Sequence, residues 1–295
     1  MRKRHISSSV IKSTIMKECE KHCKQVGQTI GENGPALTIL HSGRQNTDLV
    51  VCISSKTMPD FLINRLKRRR ICQGIGLISD IINLGCEIVP AGFPGEAEDP
   101  FLWKFSFSEA EQLLIKNFDG AQRKTYLLLK RFLKEVVNRK FPNRVLTSYV
   151  AKLHIFWMIE RSPEKYWKEE RLVQRFLEAL QLLKKSLDKG CFPHYFVEDR
   201  NMFYRMTQES KKCLSSALRT YIAEGHLCLF KMQSLCKELI GFSFFNWGLY
   251  HPYYKEMNKR LKQEKSSVMY IVISTVLCVS QYITYCKEVN SLVTF

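Results

Sequence analysis

Two sets of acidic residues have side chains that could bind a metal ion, and they lie at separate places in the chain. Asp48 stands alone at the start of an apolar run, whereas Glu18 and Glu20 form an acidic-x-acidic pair upstream of it. A hard cation such as Mg²⁺ is bound by several oxygen ligands close together. Lysines flank Glu18 and Glu20 within a helical pattern, which indicates a solvated helix face. Asp48 fits either a metal ligand or an ordinary turn residue.

Cysteine and histidine form a second set of residues that could bind a metal ion. The chain contains 11 cysteines, and Cys19 and Cys23 flank His22 near its start. A zinc site needs four ligands, and no matching second pair follows this Cys-x3-Cys spacing, so we interpret these thiols as one face of a helix. The odd number of cysteines and the lack of an apolar stretch after the basic start predict a reducing compartment, either cytoplasm or nucleus.

Positive charge is the most unusual feature of the composition. The 295 residues include 46 Lys and Arg against 28 Asp and Glu, a formal net charge of +18. Such a surface repels itself unless anions are near, which indicates nucleic acid, nucleotide phosphates or acidic lipids as partners. The basic runs are Lys67-Arg68-Arg69-Arg70, Lys184-Lys185 and Lys211-Lys212. A solvated basic face is the alternative interpretation of each run.

The elements that position these residues follow from hydrophobic periodicity, with strands mostly before Ser108 and helices after it. The predicted elements are helices over residues 6–30 and 61–70, and strands over Ala36–Leu40, 48–53, Cys86–Pro90 and 103–107. Ser108 and Glu111 have the spacing of a capping box at the start of a helical region over residues 108–187. Gly190 follows where a helix C-terminal cap is expected. This order predicts an α+β fold with two lobes.

The overall composition and one long uncharged segment bear on membrane association. With 45% hydrophobic and 25% charged residues, the chain has an ordinary globular balance. This balance excludes a disordered chain, a collagen-like chain and a polytopic membrane protein. Residues 266–286 hold no charged residue, and the segment is about as long as a membrane span. A C-terminal tail anchor and a buried helix or strand are both open interpretations of this segment.

Several segments, in their order and spacing, resemble the Mab-21-like family, which includes cyclic GMP-AMP synthase and the animal cyclic GMP-AMP synthase-like receptors. The matching segments lie at residues 34–38, 47–53, 85–90, 102–111, 129–134, 147–152 and 195–203. The resemblance implies a partial nucleotidyltransferase-fold lobe with a mixed β-sheet, followed by an all-helical HhH/H2TH-like lobe. We place the truncated first lobe at residues 1–117, the helical lobe at 118–240 and a divergent hydrophobic tail at 241–295.

The resemblance also implies a metal-dependent activity. Active members of the family hold two magnesium (or manganese) ions on three carboxylates and make a cyclic dinucleotide from ATP and GTP. Asp48 corresponds to the third carboxylate, so it is the candidate catalytic residue and the candidate metal ligand. In the family the other two lie upstream, after a Gly-Ser loop that has no counterpart before Gly34. We therefore expect that the first catalytic strands are missing and that the chain as given transfers no nucleotide.

Nucleotide-binding residues are implied in the cleft between the two lobes of the family. Ser148 and Tyr149 correspond to a pair whose tyrosine stacks on a nucleobase, and Lys130 corresponds to a lysine that reaches the phosphates. The residues that correspond to the polar lining of the cleft are Lys104, which replaces an arginine, and Ser106, Ser108 and Glu111. Without the resemblance, Tyr149 is interpreted as a core aromatic, Lys130 as a surface lysine and Ser108 as a helix cap.

Three functions remain open from the sequence. The first is a nucleotidyltransferase-family protein that binds ATP or GTP and is inactive or a fragment. The second is a non-catalytic module that binds nucleotide or double-stranded RNA or DNA, with Lys67, Arg68, Arg69 and Arg70 as phosphate contacts. The third is an interaction module tethered to a membrane through residues 266–286.

Overall fold

The computed structural model describes residues 7–25, 28–33, 36–40, 47–68, 75–90, 101–141 and 146–235. These residues form two compact units, one that ends at Lys116 and one that begins at Asn117. The strands described lie in the first unit, and the second unit is built of helices. The predicted α+β class, with a partial sheet-containing lobe and a helical lobe, is confirmed.

The first unit begins with a helix and a three-stranded antiparallel sheet. The bounds are Ser8–Gln25 for α1, Thr29–Asn33 for β1, Ala36–Leu40 for β2 and Thr47–Val50 for β3. Cys19 and Cys23 lie one turn apart on α1, half-buried and buried respectively, as predicted for one helix face. The strand order is β1-β2-β3. Ala36 and Leu37 of β2 are buried, whereas every residue of β3 is exposed, so β3 presents its side chains to solvent.

A second antiparallel sheet and the helices α2, α3 and α4 form the rest of the first unit, as far as its residues are described. The bounds are Ile53–Ser55 for β4, Asp60–Leu66 for α2, Ile75–Asn83 for α3, Cys86–Pro90 for β5, Trp103–Ser106 for β6 and Ser108–Lys116 for α4. The strand order is β4-β5-β6. Gly85 leads into β5 with a φ of 76°, and a Cβ there would lie 2.0 Å from the carbonyl oxygen of Ser55. Only glycine allows this backbone conformation and this close approach together.

The second unit contains a helix, α7, that is buried on nearly all sides. The bounds are Gly120–Phe132 for α5, Leu133–Val137 for a π-helical turn, Asn138–Lys140 for α6, Ser148–Arg161 for α7, Leu172–Lys189 for α8 and Gln208–Glu224 for α9. Short 3₁₀ turns span Glu164–Tyr166, Glu169–Arg171 and Gly225–Lys231. Between Val150 and Glu160, each residue of α7 except Lys152 is buried. A helix enclosed on all faces belongs to the core of its unit.

Aromatic side chains fill the core of the second unit. Phe132 of α5 lies edge-on to Phe176 of α8 and to Tyr221 of α9, with ring centroids 5.2 and 5.3 Å apart. Phe156 of α7 lies 5.2 Å from Tyr195 in the loop after α8. All five rings are fully buried. Truncating one such ring to alanine typically costs about 3–5 kcal/mol, so this core holds the helices and the loop in one arrangement.

Capping residues set the helix ends in the second unit. Asp119 and Gln122 form a capping box at the start of α5, in which Gln122 N–H donates to Asp119 Oδ1 at 2.7 Å. Gly190 ends α8 in the left-handed conformation with a φ of 70°, which confirms the predicted C-terminal cap. Since each cap starts or stops a helix, the helical region predicted over residues 108–187 is divided into α4, α5, α6, α7 and α8.

Tertiary pairing overrides local periodicity at two predicted elements. The helix predicted over residues 6–30 is wrong at its end, because α1 stops at Gln25 and Thr29–Asn33 pairs with β2 instead. The strand predicted over residues 48–53 is two strands. Residues 51–52 carry the chain from the first sheet to β4 of the second sheet.

The remaining predictions about elements have mixed outcomes. Helix α2 ends at Leu66, short of the predicted residue 70, because a run of like charges disfavours another turn. The resemblance implied a mixed sheet, and the strand pairs that the structure describes are antiparallel.

Among the described ranges, the helices are too short or too polar to span a membrane. The uncharged segment at residues 266–286 lies outside the described residues.

Candidate functional site

Tyr149 lies at the start of α7, on the first turn of the buried helix. Thr147 caps this helix, since its hydroxyl accepts a hydrogen bond from Val150 N–H at 3.3 Å. Ser148 is exposed, and Tyr149 beside it is half-buried. The local sequence therefore places a hydroxyl group and an aromatic ring at a helix N-terminus, where negative charge is stabilised.

His194 holds the hydroxyl group of Tyr149. Its Nε2 lies 2.8 Å from the Tyr149 oxygen, and its Nδ1 accepts from the backbone N–H groups of Phe196 and Val197, both at 3.2 Å. Because Nδ1 accepts two hydrogens, the hydrogen-bond network assigns the ring proton to Nε2, which donates to Tyr149. His194 is only 2% exposed, so water has little access to compete for this bond.

Lysine side chains lie near two aromatic rings of the second unit. Lys152 Nζ is 5.3 Å from the centroid of the Tyr149 ring, one turn along α7. Lys130 is exposed on α5, which packs against α7, and its Nζ is 5.9 Å from the Tyr126 ring centroid. A cation–π contact at an exposed site contributes about 0.5–1 kcal/mol, less than a charge-assisted hydrogen bond to phosphate. The structure thus places an aromatic ring, a group that can stack on a planar ligand, beside a cation, a group that can pair with an anion.

The predicted polar residues of the first unit lie on β6 and α4. Ser106 Oγ is 3.0 Å from Ser108 Oγ, so the structure brings these two residues together. Lys104 is half-buried on β6, and Glu111 is buried on α4. Glu111 N–H donates to the Phe107 carbonyl at 2.8 Å, which makes Phe107 the cap residue of α4. Ser108 is therefore the first residue of α4 and not its cap, so the predicted Ser108–Glu111 capping box is wrong.

A shallow pocket beside Ser106 is lined by two carboxylates. Ser106 pairs with Glu87 across β5 and β6, so both side chains point to the same face of the sheet. Glu109 lines the same pocket. Cys52 Sγ donates to Glu87 Oε1 at 3.6 Å, and burial, followed by the charge of Glu87, raises the pKa of Cys52. Since like charges repel, these carboxylates disfavour a phosphate group next to Ser106.

Asp48 is an exposed residue of β3. It lies opposite Thr38 of β2, whose hydroxyl donates to Asp48 Oδ1 at 2.6 Å. Glu18 is exposed and Glu20 is half-buried on α1. Within the part of the chain that the structure describes, no group of three or more His, Cys, Asp or Glu is placed to hold a metal ion. These residues therefore do not fit the two-ion site that the family implies.

The basic run at the end of α2 is described only in its first half. Lys67 is exposed, whereas Arg68 is half-buried and its Nη1 donates to the Arg65 carbonyl at 3.1 Å. Arg69 and Arg70 lie outside the described residues. Of the two described residues of this run, Lys67 is therefore the exposed one.

The two shorter basic runs are partly engaged within the protein. Lys184 Nζ bonds to Asp188 Oδ2 at 2.6 Å. Lys211 is buried, and a Cβ built on Gly190 would lie 3.5 Å from its Nζ. A cation here stabilises the C-terminal end of α8, and Lys211 is therefore not an exposed member of its basic run. The second member of each run is exposed: Lys185 and Lys212.

Tyr149 is contacted by His194 and Lys152, and neither residue was among the sequence candidates. A histidine between apolar residues of the Pro193–Phe196 segment is a signal, because a buried imidazole needs a hydrogen-bond partner. The partner is Tyr149, 45 residues away in sequence, so spacing alone does not identify it. Lys152 follows Tyr149 by one helical turn, and that spacing was available from the sequence.

The chain is similar to a known domain family and to several curated proteins. Residues 121–220 match the Mab-21 protein HhH/H2TH-like domain. The chain is 23% identical over 176 residues to a cyclic GMP-AMP synthase-like receptor of Trichogramma pretiosum, which covers 58% of this chain and 33% of that protein. It is 32% identical over 123 residues to protein mab-21-like 3 of Danio rerio, with coverages of 40% and 31%. It is 28% identical over 123 residues to mitochondrial dynamics protein MID49 of Xenopus laevis, with coverages of 42% and 26%.

The matched regions agree with the helical unit of the structure. The domain match begins in α5, ends in α9 and includes both Tyr149 and His194. The chain spans about a third or less of the length of these relatives. The domain match and the relatives indicate the same family that the sequence segments resemble. Residues 121–220 match the Mab-21 domain, and this match and the relatives together support the Mab-21-like nucleotidyltransferase family for the chain.

Proposed function

We propose that the chain binds a nucleoside phosphate through Tyr149 and its neighbours in the helical unit and transfers no nucleotidyl group. The observation that carries the proposal is the 2.8 Å hydrogen bond between Tyr149 and the buried His194. This bond fixes a half-buried ring beside a lysine at a helix N-terminus. A relative named as a cyclic GMP-AMP synthase-like receptor supports a nucleotide as the class of ligand.

A nucleobase is expected to stack on the ring of Tyr149. Stacking of a base on an aromatic side chain contributes about 1–3 kcal/mol and tolerates every base. Because the ring is already held at its hydroxyl end, little further side-chain entropy is lost on binding. Lys152, whose Nζ lies 5.3 Å from the ring centroid, has a flexible side chain that can move aside. This mode of binding predicts weak discrimination between ATP and GTP.

The phosphates are expected to contact the cations and the hydroxyl group near the start of α7. Lys152 on α7 supplies an ammonium group and the exposed Ser148 supplies a hydroxyl, while the family resemblance assigns a second ammonium contact to Lys130, which is exposed on α5. A helix N-terminus stabilises a nearby anion by about 0.3–1 kcal/mol. Contacts with solvent-exposed lysines are weak and are screened by salt. The stacked base therefore supplies the salt-resistant part of the affinity.

The carboxylates that the structure describes argue against nucleotidyl transfer. The two-ion chemistry of the family needs three carboxylates, and Asp48 corresponds to one of them. Asp48 Oδ1 already accepts a hydrogen bond from Thr38. Binding through Tyr149 needs no divalent ion. The nucleotide contacts predicted for the first unit remain predictions: Lys104, Ser106, Ser108 and Glu111.

Nucleotide titration of matched tyrosine variants tests the proposal. Tyr149→Ala removes the proposed stacking ring, and Tyr204→Ala removes an exposed tyrosine that has Arg205 5.2 Å from its ring centroid. We expect Tyr204→Ala to bind ATP and GTP with the same affinities as wild type. Tyr149→Ala should bind about 5- to 150-fold more weakly, which corresponds to 1–3 kcal/mol of stacking. Equal affinity in the two variants would contradict the proposal.

Double-stranded nucleic acid is a second candidate ligand, favoured by the net charge of +18. Lys67, Lys185 and Lys212 are exposed and available for phosphate contacts. Such contacts release counterions, so the logarithm of affinity falls with the logarithm of salt concentration by about 0.9 for each DNA phosphate neutralised. Titration of double-stranded RNA and DNA at several salt concentrations measures this slope. No binding at low salt would exclude this candidate.

A further inference from the structure

We infer that His194 is a positioning residue for Tyr149, whose imidazole sets the orientation of the ring on which a nucleobase stacks. The inference rests on the proposed function, because it assigns a role within the same nucleotide site. His194 is 2% exposed and bonds to the hydroxyl of Tyr149 through Nε2. It therefore acts on a stacked ligand through Tyr149 rather than by direct contact.

The hydrogen bonds around His194 favour one neutral state of the ring. The N–H groups of Phe196 and Val197 both donate to Nδ1, which leaves Nε2–H as the donor to Tyr149. A second proton would have to enter at Nδ1, where the two amide hydrogens already point. Charging a buried ring without an acceptor at that atom is unfavourable. The imidazole therefore acts as a neutral donor with a fixed tautomer.

The loop that carries His194 is tied to the helices on either side. Trp157 of α7 donates its Nε1–H to the Pro193 carbonyl at 2.9 Å. Asn201 Nδ2 donates to the carbonyl of Gly190, at the end of α8, at 3.0 Å. His194 is thus held relative to α7, the same helix that carries Tyr149. A donor fixed in this way restricts the tilt of the tyrosine ring.

Two substitutions of His194 separate its two hydrogen-bonding atoms. His194→Gln keeps an N–H group at the ε position, toward Tyr149, and loses the acceptor at the δ position. His194→Asn keeps an acceptor at the δ position, toward the N–H groups of Phe196 and Val197, and loses the donor. We expect His194→Asn to weaken ATP and GTP binding by about 2- to 10-fold, the usual effect of one net hydrogen bond. His194→Gln should bind closer to wild type, whereas a role confined to the loop predicts the reverse order.

A double-mutant cycle tests whether His194 acts through the hydroxyl of Tyr149. Tyr149→Phe keeps the ring and removes the hydroxyl. If the two residues act as one unit, Tyr149→Phe combined with His194→Asn binds nucleotide no more weakly than either single variant. Additive losses, or wild-type affinity in His194→Asn, would overturn the inference. Thermal unfolding of each variant confirms that the proteins compared are folded.

Nitrogen NMR of the histidine-labelled full chain, without nucleotide, separates this inference from the proposed function. The imidazole shifts report which nitrogen carries the proton, and the His194→Gln spectrum identifies the His194 signals. An Nε2–H tautomer whose shifts change in Tyr149→Phe supports the positioning role. An Nδ1–H tautomer overturns that role while leaving nucleotide binding intact. A wild-type chain that shows the Nε2–H tautomer yet binds neither ATP nor GTP overturns the proposed function, and the positioning role with it.

Discussion

Thr38 and Asp48 face each other across the β2–β3 pair, and the Thr38 hydroxyl donates to Asp48 Oδ1 at 2.6 Å. One oxygen of the carboxylate that the family resemblance assigns to a metal ion is therefore engaged by the neighbouring strand. In the second unit, by contrast, the Tyr149 ring is held by His194 with Lys152 beside it. These two arrangements favour a ligand bound through an aromatic ring over one bound through metal ions.

Incubation with substrates should yield no cyclic dinucleotide. Among the described residues, Asp48 is the one that corresponds to a metal-binding carboxylate of the family, and no group of three or more possible ligands surrounds it. One carboxylate does not hold Mg²⁺ in a reactive geometry. The purified chain is incubated with ATP, GTP, Mg²⁺ or Mn²⁺ and double-stranded nucleic acid, and products are analysed by mass spectrometry. A cyclic dinucleotide that forms with wild type and disappears with Asp48→Asn would show a complete metal site and contradict this expectation.

High salt should distinguish the contribution of Tyr149 from that of Lys130. At about 1 M ionic strength the Debye length falls to about 3 Å, so exposed charge contacts are screened while stacking persists. Tyr149→Ala should then weaken nucleotide binding more than Lys130→Ala does. Fluorescence titration with a labelled ATP analogue, at low and high salt, measures both losses. If the two variants lose equally at high salt, Tyr149 does not stack on the base.

His154 should make the stability of the second unit depend on pH. The imidazole is buried, and its Nε2 lies 2.8 Å from the Ala179 carbonyl oxygen. Burial lowers the pKa of His154 from 6.5 to about 4, against a smaller opposing effect of the hydrogen bond to Ala179. The unfolded chain therefore binds this proton more readily than the folded chain. The contribution of the neutral His154 to the free energy of unfolding is therefore fully present above about pH 6.5 and is lost as the pH drops to about 4.

The size of this effect follows from the difference between the two pKa values. Because the pKa of His154 is lowered from 6.5 to about 4, the free energy of unfolding should fall by about 3 kcal/mol between about pH 6.5 and about pH 4. Urea unfolding measured at several pH values gives the slope. His154→Phe removes the titrating group and should flatten the slope, even though its stability differs. Identical slopes in wild type and His154→Phe would show that His154 does not titrate differently in the folded chain.

Substitution by alanine should destabilise the protein at Gly85 and stabilise it at Gly76. A Cβ on Gly85 would lie 2.0 Å from the Ser55 carbonyl oxygen, with a φ of 76°, whereas a Cβ on Gly76 in α3 meets nothing within 4 Å. Gly85→Ala should lower the free energy of unfolding by more than about 3 kcal/mol, since backbone must move. Gly76→Ala should raise it by up to about 1 kcal/mol, because alanine favours a helix. Chemical denaturation followed by circular dichroism compares them, and wild-type stability in Gly85→Ala would contradict the close approach.

Much of the order of elements could be predicted because strands and helices have different hydrophobic periods. The strands Ala36–Leu40 and Cys86–Pro90 and the cap at Gly190 agree with the structure residue by residue. The errors lie where distant segments decide the outcome. Thr29 and Ile30 continue the helical pattern in sequence, yet they belong to a strand because Thr29–Asn33 pairs with β2.

The candidate site shows the same division between local and distant information. Tyr149 could be selected from the sequence only because its segment resembles a family. His194 could not, because its hydrogen bond to Tyr149 depends on how the loop after α8 returns to α7. Lys211 has the sequence context of a surface lysine, but helix packing buries it at the end of α8. Burial and long-range pairing are properties of the folded chain that residue spacing does not contain.

Calorimetric titration of the full chain with ATP and GTP, in the presence and absence of Mg²⁺, tests the central proposal most directly. Binding through Tyr149, Lys152 and Lys130 predicts measurable affinity without the ion and a change of less than tenfold, or about 1.4 kcal/mol, when Mg²⁺ is added. Tyr149→Ala should abolish most of that affinity. Binding that appears only with Mg²⁺, or no binding under either condition, would contradict a nucleotide site built on the Tyr149 ring.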